Sequence, residues 1–217
     1  MADRRPIASR SSGVIRRLAH WLAATPVAPN QISVASVLAS GLVPVGVLCL
    51  DGWCGNLLAA VGIQLRLLAN VLDGLVAVEG GKSSPLGALY NEFPDRIADS
   101  LILVSLGMAA GLPALGWLAA LLAALTAYVR VFGGSLGLPQ AFLGPMAKQH
   151  RMAVATAALV LEPCLAGWIA TACLWATALG IICVGSALTC ARRTQHIAGQ
   201  LAQRSAATAT DPTGAGA

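Results

Sequence analysis

The chain has 217 residues, of which 57% are hydrophobic and 11% charged. Soluble domains carry roughly 25% charge, so an ordinary water-soluble domain is excluded and an integral membrane protein is expected. The net charge of +5 does not signal nucleic-acid binding, because aromatic residues make up only 5% and the basic residues stand at the ends of apolar runs. That placement suits anionic lipid headgroups and sets orientation in a bilayer.

The expected organisation is all-α. A basic, disordered N-terminus (1–12) precedes one membrane-embedded domain (13–205), and a disordered tail (206–217), rich in Ala, Thr and Gly, follows it. In residues 13–24, Val14, Ile15, Leu18, Trp21 and Leu22 share one helical stripe beside Arg16, Arg17 and His20, the pattern of a short amphipathic helix at the membrane interface. Pro26 to Ser33 is a break, with Asn30 as the expected N-cap of the first span. A crossing needs about 20 residues, and the chain accommodates about six transmembrane helices. They are expected near 31–50, 55–78, 85–109, 115–131, 152–161 and 165–188, the fifth short and turned at Glu162-Pro163 or extended back through the basic cluster Lys148–Arg151. The six cysteines show no C-x-x-C and no paired histidine, so they read as small apolar packing residues.

One stretch departs from this apolar background. Residues 70–99 hold Asp73, Glu79, Glu92, Asp95 and Asp99, five of the nine acidic residues. A carboxylate at membrane depth is costly and needs a named partner. In a helix, Asn70, Asp73, Gly74 and Ala77 fall on one face, and Gly87, Asn91, Asp95 and Asp99 follow at steps of four. Two antiparallel helices joined by the polar turn Glu79–Ser84 would bring these faces together. Hard oxygen donors on facing helices suit Mg²⁺ or Mn²⁺. Gly74 and Gly87 leave room for a polyphosphate to approach the backbone. Arg66, one turn before Asn70, either pairs with a carboxylate or holds a phosphate. Pro94 lies inside the third span and removes the bond that the Tyr90 carbonyl would accept, which predicts a kink.

The pattern resembles the CDP-alcohol phosphatidyltransferases, whose motif reads D-x-x-D-G-x-x-A-R, about eight residues, then G-x-x-x-D-x-x-x-D. Asp73, Gly74, Ala77, Gly87 and Asp95 match in register. Asn70, Val78 and Asn91 stand where the family has Asp, Arg and Asp. The resemblance implies transfer of a substituted phosphate from a CDP-linked lipid to a small alcohol acceptor in the bilayer, with release of CMP. It implies metal ligation by Asn70, Asp73, Asn91, Asp95 and Asp99, with Asp95 as general base and Asp99 as its rival for that role. It also implies substrate contacts by Gly74, Ala77, Gly87, Arg130, Lys148 and Arg151, the three cations favouring a phosphorylated acceptor, and a homodimer. Two amides in place of two carboxylates should weaken a two-metal pair, which keeps a degenerate, non-enzymatic member or an ion carrier in view. A UbiA-like prenyltransferase fits less well, since it needs more spans.

With six spans and a cytoplasmic N-terminus, the outside turns near Asp51, Gly111 and Glu162 contain no Lys or Arg. The positive-inside rule then puts the Glu79 turn, and the acidic face with it, on the cytoplasmic side of the cell's inner membrane.

Overall fold

The computed structural model describes residues 13–82 and 84–210; the expected disordered segment 1–12 and residues 211–217 lie outside them. Among the described residues all regular structure is helical: α1 (Gly13–Ala23), α2 (Pro29–Ser40), α3 (Leu42–Cys49), α4 (Gly52–Glu79), α5 (Gly87–Ala109), α6 (Pro113–Ser135), α7 (Lys148–Leu165) and α8 (Thr171–Thr210).

The start of α2 corrects one expectation. The cap is Ala28, whose N–H donates to Gln31 Oε1 at 2.9 Å, and Pro29 takes the first helical position. Proline suits that position because the N–H it lacks would have no partner there; Asn30 is already inside the first turn. α2 and α3 are two halves of one rod, Pro29–Cys49. The interruption at Gly41 has a cause in sequence: Pro44 cannot supply the N–H that the Ser40 carbonyl would accept in an unbroken helix.

α5 runs without interruption through Pro94. α7 begins at Lys148, the further back of the two expected starts, and continues past Pro163 to Leu165. α8 begins at Thr171, not near 165, and extends for 40 residues, so it includes the first five residues of the expected tail. At 1.5 Å per residue it is about 60 Å long, roughly twice the hydrocarbon thickness of a bilayer. The alanines at 206, 207 and 209 favour helix strongly.

Four stretches are long and apolar enough to cross a membrane: Pro29–Cys49, Gly52–Glu79, Pro113–Ser135 and Thr171–Ala206. α5 has the length, but it carries Glu92, Asp95, Arg96 and Asp99; α7 carries Lys148, Arg151 and Glu162.

Apolar burial gives little drive between helices already in lipid, so close packing and polar contacts must hold them. At Gly107 a Cβ would lie 2.5 Å from the Gly116 Cα, so α5 and α6 meet backbone to backbone there. Ile63, Ile102, Leu103, Leu106, Met152, Leu159, Leu179 and Ile182 form one core contributed by α4, α5, α7 and α8. α1 docks on this bundle through Ala19, which packs with Ile32, Leu72 and Val76, while Val14 and Trp21 face outward. The feature that positions the site is an asymmetry: α2 packs on both α4 and α5, yet α4 and α5 barely touch each other. Side chains fill the space between them.

Candidate active site

The antiparallel course of α4 and α5 sets matching levels. Arg66 lies level with Asp99, which it bonds, and Asn70 with Asp95, the two meeting on Lys148.

At the deepest level Asp99 is sandwiched by two guanidinium groups. Arg66 Nη2 donates to Asp99 Oδ1 at 2.5 Å, and Arg151 Nη2 donates to Asp99 Oδ2 at 2.9 Å. All three side chains are almost wholly buried. Arg151 is held in turn by Thr126 Oγ1 at 3.3 Å and the Met146 carbonyl at 3.2 Å. Such a cluster persists in a low-dielectric region only because each charge finds an opposite one with good geometry.

One turn outward, Asp95 is also buried but differently engaged. Lys148 Nζ donates to Asp95 Oδ2 at 2.5 Å and to Asn70 Oδ1 at 3.2 Å. Arg66 Nη2 reaches Asp95 Oδ1 at 3.4 Å, and Arg96 Nη2 stands 3.7 Å from Oδ2. Asn70 is oriented by its own amide, Nδ2 donating to the Arg66 carbonyl at 3.0 Å. Its oxygen is therefore turned toward the gap. Asp73, also on α4, accepts the Ser33 hydroxyl at 2.6 Å from α2.

The outer level is the Glu92 cluster. Glu92 pairs with Arg130 and stands 3.8 Å from Arg96. Arg130 also donates to Gln140 Oε1 at 2.5 Å, and its guanidinium lies 5.5 Å from the centre of the Phe142 ring. Asn91 is exposed, and Gly87 opens onto space, a Cβ there meeting nothing nearer than Ser84 Oγ at 3.8 Å. Gly74 and Ala77 are half-buried on the same face of α4 as Asn70.

Of the ligands expected from sequence, Asn70 and Asp95 converge on one cation, and Asp73 lies on the same face under Ser33. Asp99 has both oxygens occupied by arginines, and Asn91 stands apart. Of the expected substrate-binding cations, Lys148 is in the gap, Arg151 is buried on Asp99, and Arg130 is bound to Glu92. Sequence reasoning missed Ser33, Thr126 and Arg193; the last, buried on α8, donates to the Thr126 and Leu143 carbonyls. A signal existed for two of them. Ser33, Ser36 and Ser40 form a polar stripe on a helix that is otherwise apolar beyond its first turn, and Thr189 and Arg193 repeat at four on α8.

A divalent cation fits this donor set in one respect. Oxygens from two helices, Asn70 Oδ1 and Asp95 Oδ2, already contact a single positive centre, the Lys148 ammonium. Among the described residues no three Asp, Glu, His or Cys side chains group as a ready-made metal site.

The profile of the CDP-alcohol phosphatidyltransferases matches residues 26–183. A protein of Rubrobacter xylanophilus described as a bifunctional IPC transferase and DIPP synthase is 34% identical over 129 residues, 55% of this chain. That alignment spans only 28% of the bacterial protein's length. Among solved structures, Mycobacterium tuberculosis phosphatidylinositol phosphate synthase with CDP-DAG bound superposes with a TM-score of 0.68 at 18% identity, over 86% of this chain and 94% of that one. The same enzyme in complex with manganese and citrate gives a TM-score of 0.68 at 18% identity, over 84% and 88%. Both likenesses are of fold.

Proposed function

Because the chain belongs to the CDP-alcohol phosphatidyltransferase family, we propose that it transfers a phosphatidyl or related substituted phosphate from a CDP-linked lipid to an alcohol acceptor, releasing CMP, in phospholipid biosynthesis. The observation that supports this reading most directly is the convergence of Asp95 from α5 and Asn70 from α4 on one positive centre. Gly74 and Gly87, on the turnward side of that level, would admit a diphosphate.

In this reading the acceptor hydroxyl attacks the lipid-side phosphorus and the bond to the CMP oxygen breaks. Asp95 receives the hydroxyl proton, since it lies one turn nearer the cytoplasmic end than Asp99 and its two arginines stand off at 3.4 and 3.7 Å. Asp99 orients Arg66 and Arg151 and touches no substrate. Asp73, oriented by Ser33, and Asn70 line the nucleotide side. A bound Mg²⁺ or Mn²⁺, held by Asp95, Asn70 and Asp73, would supply neutralising charge for the diphosphate and stabilise the leaving group. Lys148 and Arg130 face the acceptor side, and a phosphorylated alcohol matches their charge.

The chain crosses the membrane six times in this reading, the rods of α5 and α7 joining the four apolar stretches. What supports it is that their charges are answered inside the bundle: Asp95 and Asp99 by Arg66, Lys148 and Arg151, and Glu162 by Asn56 at 2.8 Å and by Thr171. The site then opens to the cytoplasm, where the basic turns lie, and α1 rests at the interface.

The test is direct. Purified protein in nanodiscs, given Mn²⁺, CDP-diacylglycerol and a panel of free and phosphorylated alcohols, is expected to release CMP with at least one phosphorylated acceptor. Absence of CMP release with every acceptor would overturn the reading in favour of a non-enzymatic member, for which the completed internal charge pairing would be the reason.

A further inference from the structure

The positive centre between Asn70 and Asp95 is part of the chain itself. At the level of the site, three carboxylates (Asp73, Asp95, Asp99) stand among four cations (Arg66, Arg96, Lys148, Arg151) without any added ion. Lys148 reaches this place from the first residue of α7, 53 positions from Asp95 and 78 from Asn70. Resting on the functional reading above, we propose that the Lys148 ammonium is a resident cation of this site, occupying the Asn70 and Asp95 oxygens that a divalent cation would need, so that one such ion enters only by displacing it and a second is not held.

Three observations carry this. First, the ammonium makes the two contacts that a bridging metal would make, one to each helix. Second, the amide at Asn70 lowers the negative charge at the bridge by one, which suits a monovalent ammonium better than a divalent ion. The Asn70 oxygen is nevertheless kept pointing inward by its own bond to the Arg66 carbonyl. Third, Arg66 Nε and Nη1 and Arg151 Nε are buried with no hydrogen-bond partner, so the layer beneath already holds more donors than acceptors. Positive charge added at Asp95 without displacing Lys148 would meet that surplus in a low-dielectric setting, where repulsion is poorly screened. Lysine suits the task because it is a compact point charge on a flexible stem and can withdraw. Once displaced from Asp95 it becomes available to a phosphate.

The probe is Mn²⁺ alone, with no nucleotide, titrated into full-length protein in nanodiscs; free Mn²⁺ is followed by electron paramagnetic resonance. The wild type is expected to take up no more than one Mn²⁺ per chain. Lys148→Met and Lys148→Gln each remove the competing ammonium and are expected to tighten Mn²⁺ binding by about tenfold or more, the scale of one charge-assisted contact. Lys148→Arg, which keeps the charge, is expected to bind as the wild type does. Two Mn²⁺ per chain in the wild type would overturn the proposal, as would unchanged or weaker binding in both neutral variants, or equal tightening in the arginine variant. Turnover does not enter these readouts. Failure to release CMP with the Mn²⁺ results intact would defeat the functional reading alone; failed Mn²⁺ shifts with CMP still released would defeat the lysine proposal alone.

Discussion

Asp95 and Asp99 are one turn apart on the same helix, both buried, and yet are held in different ways. Asp99 is gripped at both oxygens by arginines, and Arg151 is itself braced by Thr126 and the Met146 carbonyl. Asp95 shares one oxygen with a lysine whose stem is long and rotatable, and its other oxygen is only loosely approached by Arg66 at 3.4 Å. The planar fork of a guanidinium fixes a carboxylate; an ammonium can leave it. Under the proposed function, two residues drawn from one repeating pattern divide into a structural anchor and a working group, and their partners are what separates them.

The largest expected effect tests the anchor. Asp99→Ala leaves Arg66 and Arg151 buried without their shared counter-charge, a change that costs about 3–5 kcal/mol when one partner of a buried pair is removed. Little folded protein should survive heating in detergent, measured as the fraction remaining monodisperse on size exclusion. A variant as heat-resistant as the wild type would show that Asp99 does not hold the bundle. Asp95→Asn is the matching experiment. Arg66, Lys148 and Arg96 keep other acceptors or solvent access, so folding should be retained. CMP release should fall by about a hundredfold or more, since a positioned base contributes on that scale. Near-normal turnover would remove Asp95 from the chemistry.

An intermediate effect lies on the neighbouring helix. Ser33→Ala removes the hydroxyl that Asp73 accepts at 2.6 Å. A hydrogen bond to a charged group is worth about 1.5–3 kcal/mol, and Asp73 would turn more freely. The expected outcome is a rise of roughly tenfold in KM for the CDP-lipid with a smaller change in kcat, read from initial rates in mixed micelles. An unchanged KM would detach Ser33 from the site.

The sequence discloses this division only in part. Spacing alone places Asn70 and Asp73 on one face and Asn91, Asp95 and Asp99 on another, and the length of the Glu79–Ser84 turn makes the helices antiparallel. The level of Arg66 with Asp99 follows from the same geometry. What spacing cannot supply is the second arginine. Arg151 comes from 52 residues further on and Thr126 from a third helix, and both depend on how α6 packs on α5 and how α7, seated on α4 and α8, sends Arg151 in to Asp99. A stripe of carboxylates at steps of four looks uniform until remote partners distinguish its members. The same limit bears on α7: hydrophobicity alone starts its span at 152, because the partners of Lys148 and Arg151 inside the bundle are invisible in a local window. α8 is longer than expected for a related reason, since helix propensity continues after hydrophobicity ends.

The smallest expected effect sharpens the comparison most finely. Thr126→Val keeps the shape of the side chain and removes the acceptor that Arg151 Nη1 meets at 3.3 Å. Arg151 retains Asp99 Oδ2 and the Met146 carbonyl, so its position should hold. A single hydrogen bond at that length is worth about 0.5–1.5 kcal/mol of stability. If the Arg151–Asp99 pair only braces the fold, the variant should melt slightly earlier and turn over within about twofold of the wild type. If turnover instead drops tenfold while the melting temperature is unmoved, the pair reports directly to the reacting groups. The contrast between a holding aspartate and a working one would then have to be redrawn around Arg151.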